Sequence, residues 1–383
     1  MSKTLTEIGQ DLKDANKKVQ LIYAFNGTGK TRLSRKFKDL VAPKPADGEG
    51  EPPRSKIIYY NAFTEDLFYW DNDLEGDIER KLRIQPNAYT QWVLEEQGQD
   101  RNAVDHFQRY TDDKLTPRFN EPYSVSGEDG KQRTVPAFSE VTFSYERGDT
   151  EKTNNIKISK GEESNFIWSI FYALIEQVVE VLNEPELSER ESDRFDELEY
   201  IFIDDPVSSL DENHLIQLAV DLSALIKKSN SDLKFIISTH NPLFYNVLYS
   251  ELKPQGHILR REGQTGFELE SKKGGSNTSF SYHLHIKSLI ESAIELGTVE
   301  RYHFNLLRNL YEKAASFLGY QHWSDLLPGE KATYAKKIMH FYSHRSLSNE
   351  EIAEPTDPEK EMVRFLVDHL VNEYGFRQQE ATT

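Results

Sequence analysis

Apolar positions follow two different patterns along the chain. Continuous short runs at residues 19–23, 56–60, 200–203 and 234–237 have the length and the β-branched or aromatic content of buried strands. Stretches with apolar residues every three to four positions, at 30–40, 165–182 and 213–228, predict helices that follow several of those strands. Strand alternating with helix predicts an α/β core around a parallel sheet. From about residue 279 the pattern turns helical throughout, at 282–296, 300–318, 331–342 and 359–374. A boundary therefore falls between 265 and 280, where Gly263, Gly266, Gly274 and Gly275 make a flexible junction. Set after residue 265, it divides an α/β domain (1–265) from a smaller, mainly α-helical one (266–383). Segments 42–55, 121–136, 183–196 and 346–360 mix Pro, Gly, Ser and charge without period and read as loops. There is no internal repeat. The longest apolar stretch, 166–182, is interrupted by Glu176 and Glu180, which marks an amphipathic helix rather than a membrane span.

Composition narrows the picture. A length of 383 residues allows two or three domains with a large core. Cysteine is absent, so disulfides and thiolate zinc sites are excluded. The first 18 residues lack the apolar centre of a secretory leader, and a cytoplasmic home is expected. A net charge of −18 argues against a general nucleic-acid coat protein. Between positions 250 and 345, however, 13 Lys and Arg face 10 Asp and Glu, and seven of the 11 histidines lie there. Such a patch on an acidic body would admit a chosen RNA, although chance variation in surface charge produces the same counts.

The clearest chemistry is at Ala24-Phe25-Asn26-Gly27-Thr28-Gly29-Lys30-Thr31, between a strand and a helix. That is the context of a phosphate-binding loop. Gly27 and Gly29 let backbone N–H groups of Asn26, Thr28 and their neighbours turn inward on phosphate oxygens. Lys30 is placed to reach the outer phosphates, and Thr31 to hold Mg²⁺. Alanine stands at the first position, where glycine is usual. Tyr200-Ile201-Phe202-Ile203-Asp204-Asp205 is a buried strand ending in two carboxylates: Asp204 is expected to bind Mg²⁺ and Asp205 to polarise the attacking water. Glutamate is commoner at the second position, so Asp205 needs a closer water.

Three more pieces resemble ABC-type ATPase heads. Ile158-Ser159-Lys160-Gly161-Glu162 looks like their signature, Ser208-Ser209-Leu210-Asp211 like their D-loop, and Ser238-Thr239-His240 like their switch histidine. Each is weak alone; Ser159 and Glu162 also fit an ordinary helix cap. The resemblance implies an ABC-type nucleotide-binding head in which Ser159, Gly161 and Glu162 complete the site of a second copy, hence a homodimer. No sustained heptads lie between Lys30 and Ser159, so a long coiled-coil arm is not expected. Residues 1–22 contain no aromatic on which adenine would stack, and Asn61 is a weak candidate for the usual Q-loop glutamine.

In the helical half, Arg308 and Glu312 are four apart on one helix and share a face, with Leu306, Leu307, Leu310, Ala314 and Phe317 expected to supply the core side. An ordinary surface ion pair is the simpler account of that spacing. His344, and His340 before it, close a later helical segment. At this point the chain resembles the PrrC-type bacterial anticodon nucleases nearly end to end, in LIYAFNGTGKTRLSR, YYNAFTEDLFYWDNDL, KGEESNFIWS, IDDPVSSLD, SFSYHLH, LLRNLYEKAASFLGY and the terminal YGF. The family pattern of an arginine, a glutamate four later and a distant histidine falls on Arg308, Glu312 and His344. The resemblance implies cleavage of a lysine tRNA in its anticodon loop, 5′ of the wobble base. It also implies silencing by a type I restriction–modification complex until phage interferes, activation by hydrolysis of GTP (or ATP) with Mg²⁺, and dTTP as a stabilising ligand. RNA carries its own 2′-OH nucleophile, so the cut itself needs no metal: Glu312 and His344 can share acid and base roles while Arg308 stabilises the phosphate. A DNA-repair-type ABC ATPase whose C-terminal helices dock a partner shares the head and is the competing reading. A nuclease for another RNA or for DNA shares the triad.

Overall fold

The computed structural model describes residues 2–43, 56–61, 64, 67–72, 80–85, 90, 92–126, 132–146, 152–206, 212–262, 266–271, 282–329, 333, 336 and 354–375. The helices are α1 (Leu5–Asp14), α2 (Lys30–Val41), α3 (Asp100–Tyr110), α4 (Lys160–Asn183), α5 (Glu212–Lys228), α6 (Pro242–Leu252), α7 (Tyr282–Glu295), α8 (Arg301–Leu318) and α9 (Asp357–Tyr374). The strands are β1 (Val19–Tyr23), β2 (Ile57–Tyr60), β3 (Phe68–Asp71), β4 (Lys81–Ile84), β5 (Leu115–Phe119), β6 (Tyr123–Ser126), β7 (Gln132–Val135), β8 (Glu140–Glu146), β9 (Lys152–Thr153), β10 (Tyr200–Asp204), β11 (Lys234–Thr239), β12 (Gln255–Glu262) and β13 (Gly266–Ser271).

The expected parallel sheet is present, in the order β13-β12-β1-β11-β10-β2. Every pairing in it is parallel except that of β13 with β12. β1, β10 and β11 are buried on both faces, which is why they read as continuous apolar runs. The register sets Tyr23 beside Thr239 and Asp204 beside Ser238, so the carboxyl ends of β1, β11 and β10 finish side by side. Ligands of open α/β sheets bind beyond such ends.

A second sheet, β3-β4-β8-β5 with β9 on β8, is antiparallel, and β6 pairs with β7 in a hairpin. Neither was legible in the sequence, and the hairpin occupies the segment 121–136 read as a loop. Its residues are largely exposed, so no apolar alternation marks it. In the larger sheet, facing charges interrupt the pattern: Arg83 bonds Asp71 at 2.7 Å and Glu140 at 2.6 Å, and Lys81 lies 3.2 Å from Glu140. Helix α4 joins the two sheets. Trp168 meets Tyr60 of β2 edge-on at 5.4 Å, and Phe166 meets Phe143 of β8 at 5.3 Å. This helix is long and apolar enough to cross a bilayer, yet 83% of its most apolar window is buried inside the protein.

The chain divides into two compact units, Met1–Phe280 and Ser281–Thr383. The first therefore runs past the expected division after residue 265, because β13 closes the edge of the parallel sheet. In the second unit, the described elements are α7, α8, α9 and a short turn at Trp323–Leu326. Ile286, Ile290, Leu307, Leu310, Val363 and Leu366 form its core, and the Tyr311 hydroxyl donates to the Leu366 carbonyl at 2.9 Å. The helix expected at 331–342 lies almost wholly outside the described residues. One core expectation is corrected: Leu307, Leu310 and Ala314 are buried, but Phe317 is 91% exposed. It stands in the last turn of α8, about 80° around the helix from Leu307, just before Gly319 ends the helix at φ +82°.

Gly256 on β12 gives a test of the packing. A Cβ there would come within 2.7 Å of both the Tyr245 hydroxyl and the Tyr249 ring, two rings stacked at 5.9 Å with Tyr245 fully buried. Gly256→Ala is expected to destabilise the head by about 1–3 kcal/mol, read by denaturant unfolding. An unchanged midpoint would show that these rings yield freely.

Candidate functional site

The loop after β1 ends in Gly29, which caps α2 in a left-handed conformation at φ +110°; Gly27 turns at φ +78°. A side chain on Gly27 would meet nothing within 4 Å, so the loop presents an open face to a ligand. Lys30, only 7% exposed, points back under the loop. Its ammonium donates to the carbonyls of Ala24 (3.1 Å) and Phe25 (3.4 Å) and to Asn26 Oδ1 (3.3 Å), and lies 3.5 Å from Asp205. Thr28 donates its N–H to the Phe25 carbonyl and closes the turn. A glycine turn leading into a helix N-terminus, with a lysine ammonium beneath it, is an arrangement that fits a phosphate chain.

Asp204 and Asp205 end β10 in different surroundings. Asp204 is fully buried. Ser238 donates to it at 2.5 Å, Ser34 lies 3.4 Å away, and Thr31 bonds it through its hydroxyl. Burial raises its carboxyl above the ordinary range, and the neighbouring Asp205 charge adds to this against the pull of Ser238 and Thr31. Asp205 adopts φ +55°, a strained left-handed conformation, fixed by its N–H donating to the Ser238 carbonyl at 2.8 Å. Burial pushes its carboxyl up too. The His240 ring N–H at 2.6–2.7 Å and the Lys30 charge outweigh that and leave it below the usual range. Lys30, Thr31, Asp204, Asp205 and His240 are thus brought together, as the sequence suggested.

Two neighbours escaped the sequence. Tyr59 Oη lies 2.7 Å from Ser34 and accepts from Asn61 Nδ2 at 2.8 Å, so a polar chain leads from β2 to the Asp204 carboxylate. Burial raises the Tyr59 hydroxyl, which keeps it a neutral donor. In sequence both residues look like ordinary strand and helix positions. Asn61, the Q-loop candidate, is 5% exposed and engages Tyr59.

Ser159 caps α4. Its Oγ accepts from the Glu162 N–H at 3.3 Å, and Glu162 returns a bond to the Ser159 N–H at 2.6 Å. Both residues are exposed or partly so, with Gly161 in the same first turn, and that turn presents N–H groups outward. Asp211, with the rest of the D-loop candidate, lies outside the described residues. So do His344 and His340.

In the second unit, Arg308 Nε donates to Glu312 Oε1 at 2.8 Å, with the two side chains 20% and 42% exposed. The Arg308 guanidinium also lies over Trp323 at 5.6 Å from the ring centre. Its plane is thereby fixed at the surface while the charge stays accessible. Tyr311 is core, whereas Tyr302 is 52% exposed.

The loop and the carboxylates fit a Mg²⁺–nucleotide, which would neutralise Asp204. Asp204→Asn tests this. In the nucleotide-free protein a carboxyl whose folded value is raised opposes folding once ionised. At neutral pH the variant is therefore expected to match or exceed the native melting temperature, and the difference should shrink as pH falls into the carboxylate range. Mg²⁺ with nucleotide should stabilise only the native chain. A less stable variant at neutral pH would mean that the hydrogen bonds to Asp204 outweigh its burial.

No protein-family model matches the chain. It is 56% identical over 407 residues to an Escherichia coli protein described as "Anticodon nuclease", covering 99% of each chain. Among solved structures it is similar to an Smc head bound to the C-winged helix domain of ScpA (11% identity, TM-score 0.34, 67% of this chain and 90% of that one). It is also similar to an Smc head with an extended coiled coil from Pyrococcus furiosus (13% identity, TM-score 0.27, 51% of this chain and 38% of that one). Likenesses of that depth leave the fold to be judged from its own sheet. A likeness of more than half of all positions over nearly the full length of both sequences is decisive: the chain belongs to the anticodon nuclease family.

Proposed function

We propose that this chain is an endoribonuclease that cuts tRNA in the anticodon loop, with Arg308, Glu312 and His344 carrying the reaction and the nucleotide site licensing it. The observation that carries the proposal is full-length family membership coinciding with an Arg308–Glu312 pair that stays open to solvent. The competing DNA-repair ATPase is disfavoured because the relative's likeness runs through the C-terminal helices as well as the head.

The reaction follows from what the side chains can do. A base withdraws the proton of the ribose 2′-OH, whose oxygen attacks the adjacent phosphorus; an acid protonates the leaving 5′-oxygen. Glu312 and His344 divide those roles. Arg308, held by Glu312 and Trp323, presents N–H donors to the phosphate as negative charge accumulates. An unpaired loop suits such a site, since its bases can splay onto aromatic side chains.

At the head, bound Mg²⁺–nucleotide would supply charge neutralisation and a hydrolysable phosphoanhydride. Lys30 and the loop N–H groups hold the phosphates, Thr31 and Asp204 the metal. Asp205 orients water, and His240 senses the terminal phosphate. In the same reading Ser159, Gly161 and Glu162, with Asp211, complete the site of a second copy, which makes the active head a homodimer. Lysine tRNA as substrate, the cut 5′ of the wobble base, GTP as fuel, dTTP as a stabiliser, silencing by a type I restriction–modification complex and a cytoplasmic location complete the proposal.

Purified chain with tRNA and nucleotide provides the test, read by sequencing the RNA ends. Arg308→Ala and Glu312→Ala should each lower cleavage by on the order of a hundredfold or more while nucleotide binding persists. His344→Ala should do the same and His340→Ala should not. Lys30→Ala should lose nucleotide hydrolysis and, with it, the cut. Cleavage that survives loss of Arg308 and Glu312 would refute this assignment, and full cleavage by Lys30→Ala would refute the licensing.

A further inference from the structure

One face of α8 carries polar residues from its first turn to its last: Arg301, Asn305, Arg308, Glu312 and Ser316. At about 100° per residue, Arg301 lies about 20° around the helix from Arg308 and about 20° from Glu312, between the two. Its Cα is about 10.5 Å nearer the amino end than that of Arg308. Asn305, which is exposed, falls about 20° from Glu312 on the same stripe. Phe304, Leu307, Leu310 and Tyr311, on the other side of the helix, are core. Arg308 is matched by Glu312 at 2.8 Å. Arg301 is half-buried, has no ion-pair partner among the described residues, and keeps its Nε buried without an acceptor. It is also the first residue of α8, where the helix dipole opposes a cation. A charge held there without a counter-ion works against folding and gains when an anion arrives.

We propose that Arg301 is a second phosphate-binding residue of the nuclease, holding a phosphate of the RNA strand other than the one that is cut. The inference rests on the reading of Arg308 and Glu312 given above and extends it along the same helix face. An RNA strand fits because it repeats its charge at every nucleotide. With the cut phosphate at Arg308 and the strand running along α8, a further phosphate passes Arg301. Charges on one strand of a duplex are about 3.4 Å apart along the axis, and an extended loop spaces them more widely, so the gap spans at most about three nucleotides. The guanidinium presents paired N–H donors that match two phosphate oxygens, and the phosphate supplies the counter-charge that the fold withholds. Asn305, between the two cations along the axis, offers an amide to the ribose or base of an intervening nucleotide. Arg308 alone would fix the cut phosphate and leave the strand free to swing about it. A second grip fixes the direction of the strand, and with it the approach of the 2′-oxygen to the phosphorus.

Two substrates of the full-length chain test the proposal: tRNA with 2′-deoxyribose at the cut nucleotide reads binding alone, and unmodified tRNA reads KM and kcat. Arg301→Gln is expected to weaken binding and raise KM about tenfold or more, while kcat falls by no more than about threefold. The slope of log affinity against log salt should become shallower by about one. Arg301→Lys should recover much of the affinity, because it returns the charge without the fork. A neutral methylphosphonate placed at successive linkages should weaken binding to the native chain at one position besides the cut phosphate. That position alone should lose its effect in Arg301→Gln. The melting temperature of Arg301→Gln should equal or exceed that of the native chain, since a cation leaves the helix start. If the native chain cuts tRNA and Arg301→Gln matches it in KM, salt slope and methylphosphonate pattern, the assignment of Arg301 is overturned and the nuclease reading stands. If the native chain binds tRNA through Arg301 but cuts nothing, the nuclease reading fails and the phosphate contact stands. A lost response at the cut phosphate alone would overturn the assignment to a second phosphate. A lower melting temperature at unchanged tRNA affinity would make Arg301 a structural residue and overturn the proposal.

Discussion

Two carboxylates adjoin at the end of β10, and the head is arranged around keeping them there. Asp204 has no access to solvent and is tolerated through the hydroxyls of Ser238, Ser34 and Thr31. Asp205 is held in a left-handed backbone conformation, ionised against His240 and Lys30. The two environments push the carboxyls in opposite directions, the arrangement expected where adjacent acids have different tasks. The groups that hold the pair come from the end of the neighbouring strand β11 (Ser238 and His240) and from α2 (Lys30, Thr31 and Ser34). Any ligand that replaces Lys30's contacts with the loop therefore alters the surroundings of both acids.

Arg308 and Glu312 obey a simpler logic. A pair four residues apart on a helix surface contributes little to stability, about 0.5 kcal/mol at most, and here the arginine precedes the glutamate, the weaker order. Trp323 packs against the core of the helical unit, meets Tyr311 edge-on, and also holds the Arg308 guanidinium 5.6 Å from its ring centre. The arrangement makes better sense as preorganisation: a cation whose plane is set before substrate arrives. In the proposed reaction such a cation stabilises charge on the phosphate.

The residues explain what the sequence could and could not reveal. The parallel sheet was legible because strands buried on both faces are apolar without interruption, as Ile201, Phe202 and Ile203 are. The candidate phosphate loop stood out in sequence because such a turn requires glycine at positive φ, the conformation that Gly27 and Gly29 adopt. The antiparallel sheet was hidden, since Arg83, Asp71 and Glu140 satisfy one another across strands and break the alternation that betrays a sheet. Phe317 read as core because its spacing continues the stripe of Leu310 and Ala314; only the helix end at Gly319 places it in solvent. Spacing alone leaves Arg308 and Glu312 an ordinary ion pair, and the reaction proposed for them comes from the family pattern they match. His344 lies outside the described residues, so its role rests on the family pattern.

In the proposed reaction the substrate supplies its own nucleophile and the protein supplies groups that move protons and carry charge. The most direct measurement replaces the ribose at the cut nucleotide with 2′-deoxyribose in an otherwise identical tRNA. The account predicts that binding persists, that cleavage at that bond disappears, and that the unmodified tRNA yields a 2′,3′-cyclic phosphate and a 5′-hydroxyl. Cleavage of the deoxy substrate, or a 5′-phosphate end, would mean attack by water and would contradict it.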